Sequence, residues 1–237
     1  MGNYRLFYDF YDEMYNPLSK RGEERKVKTM ELLKKFSNVK QGKAFDVCCG
    51  MGVTTFALSE LGYESTGIDN REDFIKRAKE ATKKVSYKTR FLVMDAEKLK
   101  FEDNSFNLLT YLGNPLPHFS IDIFDNSVKE AARVLKKDGE IFIQDIDWIS
   151  ILFSSYRRTL VEHNPAGDVM ISYHLELDTE KGFIKRLFHI PKLGKYFEDE
   201  FYLWSPWLVE FILKRNGFNN IENVNLGDDH WITKGRK

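Results

Sequence analysis

Over residues 23–36, apolar side chains recur at Val27, Met30, Leu32, Leu33 and Phe36 with Lys and Glu between them, a spacing that predicts an amphipathic helix. The pattern then shortens. Residues 44–49 form a brief apolar run that meets Gly50-Met51-Gly52, and residues 53–61 predict a helix stopped by Gly62. The alternation continues with a strand at 64–68, a helix at 71–83, strands at 87–94 and 106–112, a helix at 127–137 closed by Gly139, and a strand at 140–146. Such alternation predicts right-handed crossovers and a mostly parallel sheet covered on both faces.

Beyond Asp147 the rhythm changes. Val169, Ile171, Tyr173, Leu175 and Leu177 alternate as one face of a strand, residues 183–190 are a second extended run, and 178–182 suit a hairpin loop. Residues 196–204 predict a third strand, with Tyr196, Tyr202 and Trp204 on one side and Phe197, Phe201 and Leu203 on the other. The stretch 148–205 is too short to bury a core alone, so it reads as an antiparallel insertion, a lid on a single domain spanning 1–237. Residues 1–40 form an N-terminal helical cap. Ser205-Pro206 predicts a helix cap and first-turn proline, 207–215 a helix ended by Gly217, and 221–224 and 230–233 two last strands. No internal repeat is present.

Composition narrows the function classes. The chain has 237 residues, 42% of them apolar and 30% charged, the balance of an ordinary folded protein. Thirty-six basic residues cancel 36 acidic ones, which removes the long-range field that draws in nucleic acid or anionic lipid. No run reaches the roughly 18 apolar residues of a spanning helix. The first residues lack the stages of a secretory leader, so a cytoplasmic location is expected. The two cysteines, Cys48 and Cys49, are neighbours and read as reduced thiols. The histidines have no ligand-type spacing, and no metal is expected.

The chemistry gathers at strand ends. A strand running into Gly50-Met51-Gly52 and a helix brings backbone N–H groups to the carboxyl edge of a sheet, where nucleotide-like ligands bind. Asp69 closes the next strand and suits the two hydroxyls of a ribose, and Asp95 closes the third. Helix capping and turn solvation are the plainer roles for both acids. A nicotinamide-dependent oxidoreductase would share the turn and the ribose acid, but it expects a third glycine near Thr55.

These residues resemble the class I S-adenosylmethionine-dependent methyltransferases. The run Phe45-Asp46-Val47-Cys48-Cys49-Gly50-Met51-Gly52-Val53 is similar to their glycine-rich first motif, with Cys48 where the first glycine is usual. Asp69 resembles their ribose acid, Asp95-Ala96 their adenine pair, and Leu135–Ile143 their turn-glycine-strand segment. The resemblance implies a Rossmann-like, doubly wound α/β fold with a seven-stranded, mostly parallel sheet, an antiparallel last strand and a small antiparallel β insertion. It implies S-adenosylmethionine as cofactor, S-adenosylhomocysteine as product, and a cofactor site of Asp46, Cys49, Gly50, Gly52, Asp69, Asn70, Asp95, Ala96, Glu97 and Leu112.

The segment Tyr111-Leu112-Gly113-Asn114-Pro115-Leu116-Pro117-His118 is most similar to the glycine N-methyltransferase branch, which implies a small-molecule acceptor, an amine. That comparison sets His118 against the methionine carboxylate, with Arg25 as a second partner by position, and Asn114 near the acceptor. The plain alternative for His118 is a structural hydrogen bond. Asn114-Pro115-Leu116-Pro117 also invites comparison with the Asn-Pro-Pro-aromatic tetrad of nucleic-acid amino-methyltransferases, but its stacking aromatic is absent unless Phe119 substitutes. A protein acceptor and a non-catalytic cofactor-binding regulator are further alternatives. Tyr4, Phe7, Tyr8, Phe10, Tyr11 and Tyr15 crowd the N-terminus, either as a packing stripe or folded over the cofactor. Tyr11 and Tyr15 join His118 and Asn114 as catalytic candidates. The sequence leaves the methylated atom and the oligomeric state open.

Overall fold

The computed structural model describes residues 4–85 and 88–237, with only the backbone described for Tyr4 and Arg5. The expected strand start at Tyr87 and the side chain of Tyr4 therefore lie outside the described residues. In chain order the elements are α1 (Tyr4–Phe10), α2 (Asp12–Tyr15), α3 (Lys20–Phe36), β1 (Lys43–Val47), α4 (Val53–Glu60), β2 (Glu64–Asp69), α5 (Glu72–Thr82), β3 (Thr89–Val93), β4 (Phe106–Tyr111), α6 (Ile121–Val134) and β5 (Leu135–Ile146). There follow α7 (Trp148–Ser154), β6 (Thr159–His163), β7 (Val169–Asp178), β8 (Phe183–Ile190), β9 (Lys195–Tyr202), α8 (Pro206–Arg215), β10 (Asn219–Gly227) and β11 (His230–Arg236).

Among the described residues the strands make a seven-stranded sheet in the order β10-β11-β5-β4-β1-β2-β3 and a four-stranded sheet in the order β6-β7-β8-β9. In the large sheet β5, β4, β1, β2 and β3 run parallel, while β11 is antiparallel to both β5 and β10. The small sheet is antiparallel throughout. This is the Rossmann-like α/β architecture expected from the motifs.

Strand alternation feeds two cores. Phe45, Leu109, Tyr111, Ile141 and Ile143 pack on α6 and α8 through Phe124, Val128, Val209 and Ile212. On the other face Ala44, Leu108, Phe142 and Ile232 pack on Leu33 of α3 and Leu58 of α4. Full burial of such a side chain contributes roughly 1.5–3 kcal/mol, which is why the central strands read as continuous apolar runs.

Several expectations shift. Helix α3 starts at Lys20, ahead of Glu23, because the Ser19 hydroxyl accepts from Gly22 N at 2.8 Å and caps it. Helix α6 begins at Ile121 under the Ser120 cap and ends at Val134, so Gly139 is no helix stop. Gly139 lies inside β5, where a Cβ would come within 2.7 Å of Leu135 Cγ. The insertion has a fourth strand, β6, that its apolar pattern concealed. The alternating face of β7 is also reversed: Met170 and Ser172 are buried, while Tyr173, Leu175 and Leu177 are exposed. A register shift between His174 and Glu176 interrupts that alternation. At α8, Pro206 takes the first turn, but the Ser205 side chain makes no capping bond.

Candidate functional site

The carboxyl ends of β1, β2, β3 and β4 open into one cavity of about 610 Å³, a size suited to a cofactor and a small ligand. Its floor is set by backbone geometry. After β1, Cys48 and Gly50 take left-handed conformations (φ 57° and 53°), and Gly52 (φ 98°) starts α4. No atom lies within 4 Å of where a Gly50 Cβ would stand, so the main chain is bare toward the cavity there. Gly52 serves a different need, since its Cβ would meet the Phe91 ring at 2.7 Å.

Asp69, at the end of β2, accepts from Gly50 N at 2.9 Å and from Arg71 N at 3.0 Å. Burial raises its pKa, and these two donors oppose the rise by favouring the carboxylate. At the end of β3, Asp95 accepts from Glu97 N at 2.9 Å, and Glu97 accepts from Asn126 Nδ2 at 2.9 Å. After β4, Gly113 N donates to Gln144 Oε1 at 2.9 Å, Asn114 takes φ 63°, and a 3-10 turn over Leu116–His118 carries His118 into the cavity wall. The Asn114 Oδ1 atom is buried with no hydrogen-bond partner among the described residues. Burial lowers the His118 pKa to about 4, so the imidazole is neutral at pH 7.

The facing wall comes from the N-terminal helices. Tyr8 Oη lies 3.2 Å from His118 Nε2, and its ring meets Tyr15 and Phe74 edge-on at 4.9 Å. The Arg25 guanidinium sits 4.8 Å from the centre of the Tyr15 ring. Burial raises the pKa of Tyr8 and Tyr15, so both phenols keep their protons at neutral pH.

Of the residues singled out from sequence, Arg25, Cys49, Gly50, Asp69, Asn70, Asp95, Ala96, Glu97, Leu112, Asn114, His118 and Tyr15 all line this cavity. Three do not. Asp46 is fully buried beneath the floor, where Thr55 Oγ1 donates to it at 2.7 Å and Thr110 Oγ1 at 2.9 Å, and burial pushes its carboxyl up to about 7. Asp46 thus ties β1 to α4 and β4, a positioning role. Gly52 acts through its conformation. Tyr11 points to the lid, its hydroxyl donating to Glu162 Oε1 at 2.9 Å. Sequence reasoning passed over Tyr8 as an individual residue, and also Arg71, which stacks 3.7 Å over Phe74 and lines the cavity. The lid residues Arg157, Arg158 and Tyr173 are exposed, whereas Trp204 is fully buried and donates from Nε1 to Phe119 O at 3.0 Å.

Among the described residues no group of His, Cys, Asp and Glu is placed to hold a metal ion, and no helix is long and apolar enough to cross a membrane.

Comparison with known proteins agrees with this geometry. Residues 44–139 match the family described as "Methyltransferase domain". The chain is 36% identical over 137 residues to the demethylmenaquinone methyltransferase of Staphylococcus aureus, a match covering 55% of this chain and 53% of that protein. The chain therefore spans about half the length of this curated relative. Among solved structures, the PH0226 protein of Pyrococcus horikoshii is 26% identical with a TM-score of 0.77, covering 98% of this chain and 97% of that one. CalS10 from Micromonospora echinaspora, an amino pentose methyltransferase solved with S-adenosylmethionine bound, shares the fold at 11% identity and TM-score 0.71, with 96% of each chain covered. Residues 44–139 are thus similar to a methyltransferase domain, and the chain shares its fold with S-adenosylmethionine-dependent enzymes.

Proposed function

We propose that this protein transfers the methyl group of S-adenosylmethionine to a nitrogen of a small-molecule acceptor. The single observation behind the nitrogen is the neutral, buried His118 imidazole with the Tyr8 phenol 3.2 Å away, on the wall that also holds the unpartnered Asn114 carbonyl. Those groups can accept a hydrogen bond from an amine.

The residues that line the cavity fit the donor. Asp69, steadied by two backbone N–H groups, has its free lone pairs for the ribose hydroxyls. The bare main chain at Gly50 allows close approach, Asp95, Ala96 and Glu97 would hold the adenine, and Arg25 and His118 would hold the methionine carboxylate. When bound, S-adenosylmethionine supplies a methyl group already activated by its sulfonium. The chain's own work is to align the acceptor, exclude water under Tyr8 and Tyr15, and keep the amine unprotonated. The neutral His118 imidazole takes part by hydrogen bonding to the acceptor, and the proton released on methyl transfer passes to solvent.

Product formation from S-adenosylmethionine across a panel of primary and secondary amines tests this reading. Turnover of an amine with loss on His118→Asn supports it. S-adenosylhomocysteine binding without amine turnover would exclude the nitrogen acceptor while keeping the cofactor. The Staphylococcus aureus relative gives one rival, an acceptor like demethylmenaquinone, assayed alongside.

A further inference from the structure

Strand β5 ends on an unexplained carboxyl group. Ile141 and Ile143 pack into the core against α6 and α8, and a period of two points Asp145 the same way. Asp145 is fully buried, and neither carboxyl oxygen has a side-chain hydrogen-bond partner among the described residues. Two more buried polar atoms lack a partner among the described residues: Nε1 of the half-buried Trp148 at the start of α7, and the Ser205 hydroxyl at the start of α8, 2% exposed. Asp147 accepts from Ser150 N at 3.2 Å, and Ser150 Oγ donates to Asp229 at 2.7 Å.

These stretches adjoin each other and the proposed transfer point. Trp148 N donates to Trp204 O at 2.9 Å, next to Ser205. The Trp204 indole donates to Phe119 O, one residue past His118. The Phe201 ring lies 6.3 Å from that of His118 and 6.2 Å from that of Trp148, so one aromatic side chain separates His118 from this polar group. A buried polar atom left unpaired is costly, and an apolar core would remove three such costs.

Resting on the methyl-transfer reading, we infer that Asp145, Trp148 and Ser205 form a second subsite for a hydroxyl or ammonium group of the acceptor, beyond Phe201 and away from the methylated nitrogen. The donor set selects the class. Trp148 Nε1 only donates, Ser205 Oγ donates and accepts, and Asp145 takes an ammonium as a carboxylate or a hydroxyl as an acid. Burial pushes the Asp145 carboxyl up to about 8, the Ile146 backbone N–H opposes the rise, and the nearby Asp147 charge adds to it. A carboxylate or phosphate ligand would face Asp145 and is disfavoured.

The test uses the full chain loaded with S-adenosylhomocysteine, titrated calorimetrically with butylamine, 4-aminobutan-1-ol and 1,4-diaminobutane. Wild type binds the aminoalcohol or the diamine at least about tenfold more tightly than butylamine, and the better of the two tells hydroxyl from ammonium. Asp145→Leu abolishes that preference, keeps S-adenosylhomocysteine affinity within about twofold, and melts at or up to about 4 °C above wild type, because an unpaired polar group has gone. Asp145→Asn keeps the shape, melts within about 2 °C of wild type and cuts the preference at least about threefold. A wild type without preference overturns the subsite, and so does a preference that survives both variants. A loss of more than about 4 °C in both variants assigns Asp145 to the fold and also overturns it. Failure of wild type to bind S-adenosylhomocysteine would instead remove the methyl-transfer reading beneath it.

Discussion

The two walls of the cavity are held in different ways. On the sheet side, main-chain groups do the holding: Gly50 N and Arg71 N on Asp69, Glu97 N on Asp95, and Gly113 N on Gln144. On the facing side, side chains reach across the fold. Tyr8 meets His118, 110 residues away in sequence, and Tyr11 meets Glu162, 151 away. Phe7 packs edge-on against Phe188 at 6.0 Å, and Asn164 Nδ2 donates to Phe10 O at 3.2 Å. A wall made of backbone is formed whenever the sheet is formed, whereas a wall made of distant side-chain contacts exists only while the helices and lid are docked together. Under the proposed function, the first wall would hold the donor, and the second the acceptor that must enter and leave.

Substitutions can break this contrast. The largest effect is expected from Asp69→Ala, which removes the charged acceptor on the rigid wall. A loss of about 2–3 kcal/mol, roughly 30- to 150-fold in S-adenosylhomocysteine affinity, should appear by calorimetry. An unchanged affinity would mean that the sheet wall does not grip the ligand.

Gly52→Ala strikes the same wall through its conformation, forcing a Cβ at φ 98° toward the Phe91 ring. About 2 kcal/mol of stability should be lost, a fall of about 4–8 °C in melting temperature. A melt within 1 °C of wild type would refute that account.

His118 gives a pH signature. Burial lowers its pKa from 6.5 to about 4. Between these values the unfolded chain takes up a proton that the folded chain refuses, so wild-type stability falls as the pH drops from 6.5 toward 4. In denaturant titrations at pH 4 to 7, His118→Asn should lose less stability over this interval than wild type. Equal slopes would show that the imidazole is not desolvated.

The smallest effect belongs to Tyr11→Phe, which deletes one bond to the lid. About 1 kcal/mol of stability should go, with S-adenosylhomocysteine affinity unchanged, because only the side-chain wall is touched. A change in that affinity of threefold or more would show the two walls to be coupled.

The same division governs how much could be read from sequence. The α/β alternation, the glycine turn and the acidic strand ends are local signals, and the cavity gathers most of the residues they marked. Tyr11 went the other way for a reason invisible to helical spacing: the chain breaks between α1 and α2 at Tyr11 (φ −99°, ψ 22°), which swings it to the lid and leaves Tyr8 facing His118. In β7 the apolar alternation is real but outward-facing, because β8 and α1 cover the Met170 side instead. Asp46 sits within a cofactor motif yet is spent on Thr55, the very position where a dinucleotide-binding turn would need a third glycine. Asp145 carries no motif, and its isolation arises only when β5, α7 and α8 converge.

Trp204 gives this architecture an optical use. Its indole is fully enclosed and bonded to the turn carrying His118, while its carbonyl receives the first residue of α7. Any swing of the insertion away from the sheet strips that bond and wets the ring, so the emission of Trp204 should shift to the red. Subtracting the spectrum of a Trp204→Phe variant removes the background of the other tryptophans and turns the chain into its own unlabelled gauge of movement of the insertion.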